Sequence, residues 1–100
     1  MNARVLIHAR HTAKEVSEAI ARAWPDLLFL LYREKKGVVE EAMLAPTEKL
    51  AASGNASITL DGTMTGREAS LAFRQAFGVL VEISVESGKS AMNMPLDKAR

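Results

Sequence analysis

The hydrophobic and polar positions of the chain follow the same order of patterns twice. In each half, apolar and polar residues alternate first, in VLIHA at 5–9 and in ITLDG at 58–62. This alternation predicts a strand, because successive side chains of a strand point to opposite faces. A segment with helical apolar spacing follows, and after it comes an apolar run, LLFLL at 27–31 and LVEISV at 80–85, typical of a strand. Each half is therefore predicted to be a βαβ unit.

Both predicted helices begin with the same local signal. Thr12 is followed three residues later by Glu15, and Thr65 is followed in the same way by Glu68. This spacing is that of a capping box, in which the threonine accepts from a free amide of the first turn and the glutamate accepts from the cap amide. The two helices are thus predicted to begin at positions 53 residues apart.

The halves also resemble each other residue by residue. Comparing 5–25 with 58–78 without gaps gives five identities, where average composition predicts about one. With a small gap the resemblance continues, and PTEKL at 46–50 aligns with PLDKA at 95–99. These matches predict an internal duplication of about 50 residues.

Two consecutive βαβ units predict an α+β protein, an internally duplicated, ferredoxin-like βαββαβ two-layer sandwich with an insertion between the halves. One hundred residues predict a single domain over 1–100. Its predicted parts are a first repeat at about 3–37, a connection at 38–56, a second repeat at about 57–88 and a C-terminal segment at 89–100.

Strand alternation assigns each strand residue to one face of the predicted sheet. The residues expected to face the helices are Val5, Ile7, Phe29, Leu31, Ile58, Leu60, Val81, Ile83 and Val85. The opposite face takes mostly polar residues from the second half. From the first half it takes the polar residues Arg4, His8 and Arg10. It also takes four large side chains, which form the candidate interface: Leu6, Leu28, Leu30 and Tyr32.

This candidate interface predicts self-association. A large apolar side chain left in water forgoes about 1.5–3 kcal/mol, so several on one face imply a cover. A second copy of the chain is the simplest cover, because a twofold homodimer buries a self-complementary patch against itself. The alternative is that the 38–56 connection folds over the face, using its apolar residues Val38, Val39, Met43, Leu44 and Leu50.

A basic tract at the end of the first strand is the second candidate site. Arg10, His11 and Lys14 lie where the strand passes into the helix, and they predict contact with a small anion or with phosphate. Nucleic-acid binding is disfavoured, because the central strands lack the aromatic side chains on which bases stack.

The predicted strand order also bears on this tract. In a ferredoxin-like sheet the fourth strand lies beside the first. Glu82 and Glu86 are then expected to pair with Arg4 and Arg10 across the ladder, which neutralises the basic charge.

Composition narrows the function classes. The absence of cysteine excludes disulfides and thiolate metal sites. A net charge of +1 provides no general attraction to nucleic acid or to a membrane surface. The longest apolar run, at 27–32, is too short to cross a bilayer, and no signal-peptide pattern is present, so we expect a cytoplasmic protein without membrane contact.

The two histidines, His8 and His11, invite a metal-binding or acid–base interpretation. The geometry disfavours it, because His8 and Asp61 fall towards opposite ends of antiparallel strands. No set of residues with the spacing of a catalytic group or of metal ligands is found, so no catalytic residue, metal or cofactor is predicted. The sequence favours a non-enzymatic module that self-associates and serves as an accessory or regulatory subunit for a protein partner. The alternative is a binding domain for a small anion or nucleic acid.

Overall fold

The structure is a computed structural model that describes residues 4–35, 38–51, 54–85 and 88–98. The elements along the chain are β1 (Arg4–His8), α1 (Ala13–Ala23), β2 (Leu27–Lys35), β3 (Val38–Met43), β4 (Ser57–Asp61), α2 (Gly66–Phe77), β5 (Val79–Val85) and a short 3-10 helix (Leu96–Lys98). The α+β class and both βαβ element orders are as predicted.

Both helices begin where the sequence predicts. The Thr12 hydroxyl accepts a hydrogen bond from the backbone N–H of Glu15, and the Glu15 carboxylate accepts one from the backbone N–H of Thr12. Thr65 and Glu68 form the same reciprocal pair at the start of α2. The two capping boxes are therefore complete, and each satisfies amides that a helix otherwise leaves without a partner.

The strands form two antiparallel sheets within the described residues. β1 pairs with β4, and β2 lies between β3 and β5. The predicted single sheet with β5 beside β1 is wrong on this point, because β5 pairs with β2 along its length, from Leu27 opposite Val85 to Arg33 opposite Val79. Alternation determines which face of a strand is buried, but it leaves open which strand becomes its neighbour.

One hydrophobic core unites both sheets and both helices. Eight of the nine residues predicted to face the helices are buried, and Ile58 is half-buried against the same core. Helix α1 packs on β1 and β2, while α2 packs on β4 and β5. Phe73 lies at the centre, with its ring edge-to-face at 6.4 Å from Phe29 and 6.0 Å from Phe77.

The described part of the connection between the halves does not cover the open face of the three-stranded sheet. Its residues 38–43 form β3, which extends that sheet at one edge. Leu44 and Leu50 are buried in the core, and Met43 is exposed. The side chains of Val38 and Val39 lie outside the described part of the chain. The described connection therefore widens the sheet rather than shielding it.

Two short segments, which we name the first strap (46–51) and the second strap (92–97), run beside the strand-to-helix junctions. In the first strap, Ala13 donates its backbone N–H to the Glu48 carbonyl at 2.8 Å, and Leu50 donates to the His11 carbonyl at 3.0 Å. Lys14 donates to the Pro46 carbonyl.

The second strap repeats this pattern. Gly66 donates its backbone N–H to the Met94 carbonyl at 3.2 Å, Arg67 donates to the Met92 carbonyl at 2.7 Å, and Leu96 donates to the Met64 carbonyl at 2.8 Å. Leu50 therefore holds the place that Leu96 holds in the second half. The sequence alignment of PTEKL with PLDKA is off by three residues, since it matches Leu50 with Ala99.

Candidate functional sites

The strand-to-helix turn of the first half explains its two histidines. Nδ1 of His8 accepts from the backbone N–H of Arg10 at 3.1 Å, and Nδ1 of His11 accepts from the backbone N–H of His8 at 3.0 Å. The backbone N–H of His11 donates in turn to the His8 carbonyl. Both rings therefore use a lone pair to hold the backbone of the turn.

The second half builds the same turn from other residues. Oδ1 of Asp61 accepts from the backbone N–H of Thr63 at 2.9 Å, and the sulfur of Met64 accepts from the backbone N–H of Asp61 at 3.3 Å. The N–H of Met64 donates to the Asp61 carbonyl, as that of His11 does to His8. An aspartate and a methionine replace the two histidines position for position, so the shared role of these side chains is to accept from the backbone.

The candidate anion site offers little to a ligand. The first amides of α1 are used inside the chain, since Ala13 and Lys14 donate to the first strap and Glu15 donates to Thr12. Nε of Arg10 donates to the Gly54 carbonyl at 3.4 Å, and Nζ of Lys14 lies 4.0 Å from Oε1 of Glu18. Free backbone N–H groups at a helix N-terminus normally bind an anion, and at the start of α1 these N–H groups already have acceptors within the chain.

The expected neutralisation of the basic tract by Glu82 and Glu86 is wrong for Glu82, because β5 is not beside β1. Nε of Arg4 instead contacts the Asp61 carboxylate at 3.3 Å, and the two residues lie opposite each other in the β1–β4 ladder. His8 lies opposite Ser57, at the other end of that ladder from Asp61, as the sequence predicted. Glu86 lies outside the described residues.

Two carboxylates of the described residues have altered acidity. Hydrogen bonds from the backbone N–H of Thr12, and then from its hydroxyl, lower the pKa of Glu15. Corresponding bonds from the backbone N–H and hydroxyl of Thr63 lower the pKa of Asp61, with a smaller contribution from Arg4. Both groups are held as carboxylates that stabilise a turn or a helix start, which is a structural role.

The candidate interface residues are divided between the two sheets. Leu28, Leu30 and Tyr32 lie along one face of β2, away from the core residues Phe29 and Leu31. Leu6 lies on the outer face of the β1–β4 sheet and is 63% exposed. The structure thus brings the three β2 residues together and leaves Leu6 in a different sheet.

Two further side chains join the β2 residues on their open face. Tyr32 lies opposite Met43 of β3 on one side and opposite Leu80 of β5 on the other, so the three form an apolar row across the sheet. Met43 is 57% exposed and Leu28 is 51% exposed. Residue Met43 was not assigned to this face from the sequence, because the 38–56 connection carries no clear strand signal. We call Leu28, Leu30, Tyr32, Met43 and Leu80 the apolar face.

A groove of about 480 Å³ runs between β1 and α1. Its lining includes three consecutive residues of β1 and two alanines and an arginine of α1: Arg4, Val5, Leu6, Ala19, Ala23 and Arg22. The sequence did not predict this site, since the predicted sheet places the fourth strand there.

A second concavity, of about 630 Å³, is lined by Arg33 and the first strap. The Arg33 guanidinium donates to the carbonyls of Leu50 and Lys49 and to the Glu48 carboxylate, at 2.7–2.9 Å. The Arg33 guanidinium therefore holds the first strap in place.

The residues of the described ranges contain no group of three His, Asp or Glu side chains placed to hold a metal ion. Neither described helix has the length and apolar content needed to span a membrane. Comparison of the chain with protein-family models, with curated protein sequences and with solved structures found no match.

Proposed function

We propose that the protein is a non-enzymatic interaction module that forms a homodimer through the apolar face of its three-stranded sheet. The single observation that carries this proposal is the continuous apolar row Met43–Tyr32–Leu80, extended by Leu30 and Leu28 on the central strand. Met43 and Leu28 are exposed, and Leu30, Tyr32 and Leu80 are half-buried. Large apolar side chains that are accessible together on one face mark an interaction surface, whereas scattered ones do not.

The chemistry of this face supports a second copy of the chain as the partner. The row itself carries no charge, and the one charged residue opposite its described β2 side chains is Glu82, across from Leu30. Apart from Glu82, the face has no described charge with which to attract a charged partner, while its apolar row can be buried against its own copy around a twofold axis. We propose that the module performs its accessory or regulatory role as this dimer.

We also infer that the chain is an internal duplication. Supporting observations are the matched capping boxes, turns and straps, with donors and acceptors displaced by constant steps along the chain. In addition, Leu6 pairs with Thr59, its own counterpart, and Leu30 pairs with Glu82 at the corresponding place in the other sheet. Such self-paired positions are expected where an approximate twofold axis passes between duplicated strands.

The test of the dimer compares two leucines of similar exposure. Leu28→Lys places a charge on the apolar face beside Ser84, and Leu71→Lys makes the same change on α2, where Leu71 is 53% exposed. Both side chains are largely in water in the single chain, so each change is expected to alter unfolding free energy by no more than about 0.5 kcal/mol. Leu30 is not used, because a glutamate there would lie directly opposite Glu82.

Light scattering between about 10 and 500 μM measures the outcome, since dimer content depends on protomer concentration. We expect the wild type and Leu71→Lys to shift from monomer to dimer mass, and Leu28→Lys to remain a folded monomer. A wild type that stays monomeric throughout, or two variants that behave alike, contradicts the proposal.

A further inference from the structure

The outer edge of β1 has main-chain groups beside which the described residues place no strand. Ala9 donates its N–H to the Ala56 carbonyl, and this bond continues the β1–β4 register beyond His8 and Ser57. In an antiparallel ladder, hydrogen-bonded and non-hydrogen-bonded pairs alternate. Val5 and Ile7 therefore bond to β4, while the N–H and C=O groups of residues 4, 6 and 8 point to the other edge.

At this edge, the main-chain groups of His8 have partners and those of Leu6 lack a neighbouring strand among the described residues. The N–H and C=O of His8 are both taken by His11. The main-chain groups of Leu6 point to an edge at which the described residues place no strand. This is the edge that the predicted ferredoxin-like order would have filled with the last strand. Unpaired strand edges are templates for the addition of an extended peptide.

The groove between β1 and α1 lies along this edge, since its lining includes three consecutive β1 residues. Its helix wall consists of Arg22 and the small residues Ala19 and Ala23, and the two alanines leave room for alternate side chains of an added strand. Arg4 and Arg22 bring positive charge to the groove. The Arg4 side chain is 75% exposed although its Nε contacts Asp61, and Arg22 has no side-chain partner among the described residues.

The corresponding positions of the second half keep the two alanines of the helix and lose the charge. Fifty-three residues on, Val5, Ala19 and Ala23 correspond to Ile58, Ala72 and Ala76. The residues that differ are polar and uncharged: Arg4, Leu6 and Arg22 correspond to Ser57, Thr59 and Gln75. The two halves thus share the inner positions and diverge at the three that an edge ligand would meet.

We propose that the β1 edge binds an extended acidic peptide segment of a partner protein, which adds a strand beside β1. Leu6 supplies the main-chain hydrogen bonds, Arg22 pairs with the acidic side chains on the helix side of the added strand, and Arg4 adds positive charge at the edge. A second copy of this chain does not suit the edge, because two β1 edges would bring together two sets of the same arginines. The proposal is independent of the dimer face.

The probe is an acetylated and amidated peptide of about seven residues, alternating glutamate and valine, which matches a strand with one charged side. Binding is followed by NMR and by hydrogen exchange. We expect shifts in residues 4–6 and slowed exchange of the Leu6 amide, with the Thr59 amide unchanged. Binding should weaken as salt rises from about 50 to 500 mM. The same peptide with lysine for glutamate should bind at least about tenfold more weakly.

Two charge-removing substitutions on α1 give the matched comparison. Arg22→Gln copies Gln75 and is expected to weaken binding about fivefold or more, while Lys14→Gln removes the same charge from the N-terminal end of the helix and should leave the affinity within about twofold. Equal binding of the lysine peptide, equal effects of the two substitutions, or shifts centred on Arg10 and Lys14 would each overturn the proposal.

Discussion

The two halves of the molecule use the same hydrogen-bond plan and fill it with different side chains. In the first half the strap lies against Ala9 and Ala13, and in the second half it lies against Gly62 and Gly66. A Cβ on Gly62 would meet the Asp97 side chain, and a Cβ on Gly66 would meet the backbone of Ala91 and Met92, whereas the first half holds both methyl groups in its core. The second junction therefore has no room for a methyl group at these two positions, whereas the first junction accommodates both. The two halves therefore share the backbone hydrogen bonds between strap and junction but differ in how the strap packs there.

A side-chain hydrogen bond, which we call the anchor, holds the second strap in place. Nε1 of Trp24 donates to Oδ1 of Asp97 at 2.6 Å, and Trp24 is only 5% exposed. This bond joins the end of the first helix to the second strap, so the second half is tied to the first. The counterparts of these residues, Phe77 and Ala51, have no such bond to make.

The largest effect is expected from Gly66→Ala, which tests the difference in packing. Its Cβ would lie 2.5 Å from the Ala91 carbonyl oxygen and 2.9 Å from Cα of Met92, both of which are backbone atoms that cannot rotate away. We expect a loss of about 2–3 kcal/mol in denaturant unfolding. Ala13→Gly, the reverse change in the first half, should cost only about 1 kcal/mol through helix propensity. Equal costs would show that the straps are packed alike.

The next effect concerns the anchor. Asp97→Ala leaves the buried Trp24 N–H without its acceptor and should cost about 1–3 kcal/mol. Gly62→Ala places a methyl group where the Asp97 carboxylate lies and should destabilise by a similar amount. The double variant recreates the Ala9 and Ala51 pair of the first half, so its cost should be less than the sum of the two by about 1 kcal/mol. Strict additivity would contradict the shared anchor.

How far the sequence predicts this structure depends on how local each feature is. Capping boxes and buried strand faces follow from residues within one helical turn or along one strand, and both were predicted. The pairing of β5 with β2 was not, because alternating strands bury the same residues beside either neighbour. The straps escaped prediction for a related reason: their contacts are backbone bonds, which any non-proline residue can make. The groove was missed because it exists only where β5 is absent.

A smaller effect is expected on acid stability. A carboxylate whose pKa is lowered in the folded chain stabilises the fold above its ordinary pKa, and this contribution is lost as pH falls through the folded value. In Asp61→Asn the stability should therefore decrease less steeply as pH falls below about 4, and Glu15→Gln should show the same change. Unfolding midpoints measured from about pH 6 to pH 2 check this. An unchanged slope in both variants would show that neither carboxylate is linked to folding.

The smallest effect is expected at the first turn. His11→Met gives the first half the acceptor that the second half has in Met64. Because the acceptor role is kept, unfolding free energy should change by less than about 0.5 kcal/mol. A larger loss would mean that the imidazole does more than hold the backbone of the turn.

Native-state hydrogen exchange tests the shared plan and the open edges in one experiment. The strap amides of the first half (residues 13, 14, 50 and 51) and of the second half (residues 66, 67, 96 and 97) all donate across a junction. We predict that all eight are protected, while the amides of Leu6 and Thr59 exchange quickly because they face edges at which the described part of the chain has no strand. A protected Leu6 amide in the monomer would place a strand beside β1. Fast exchange confined to one strap would show that the halves do not share their backbone plan.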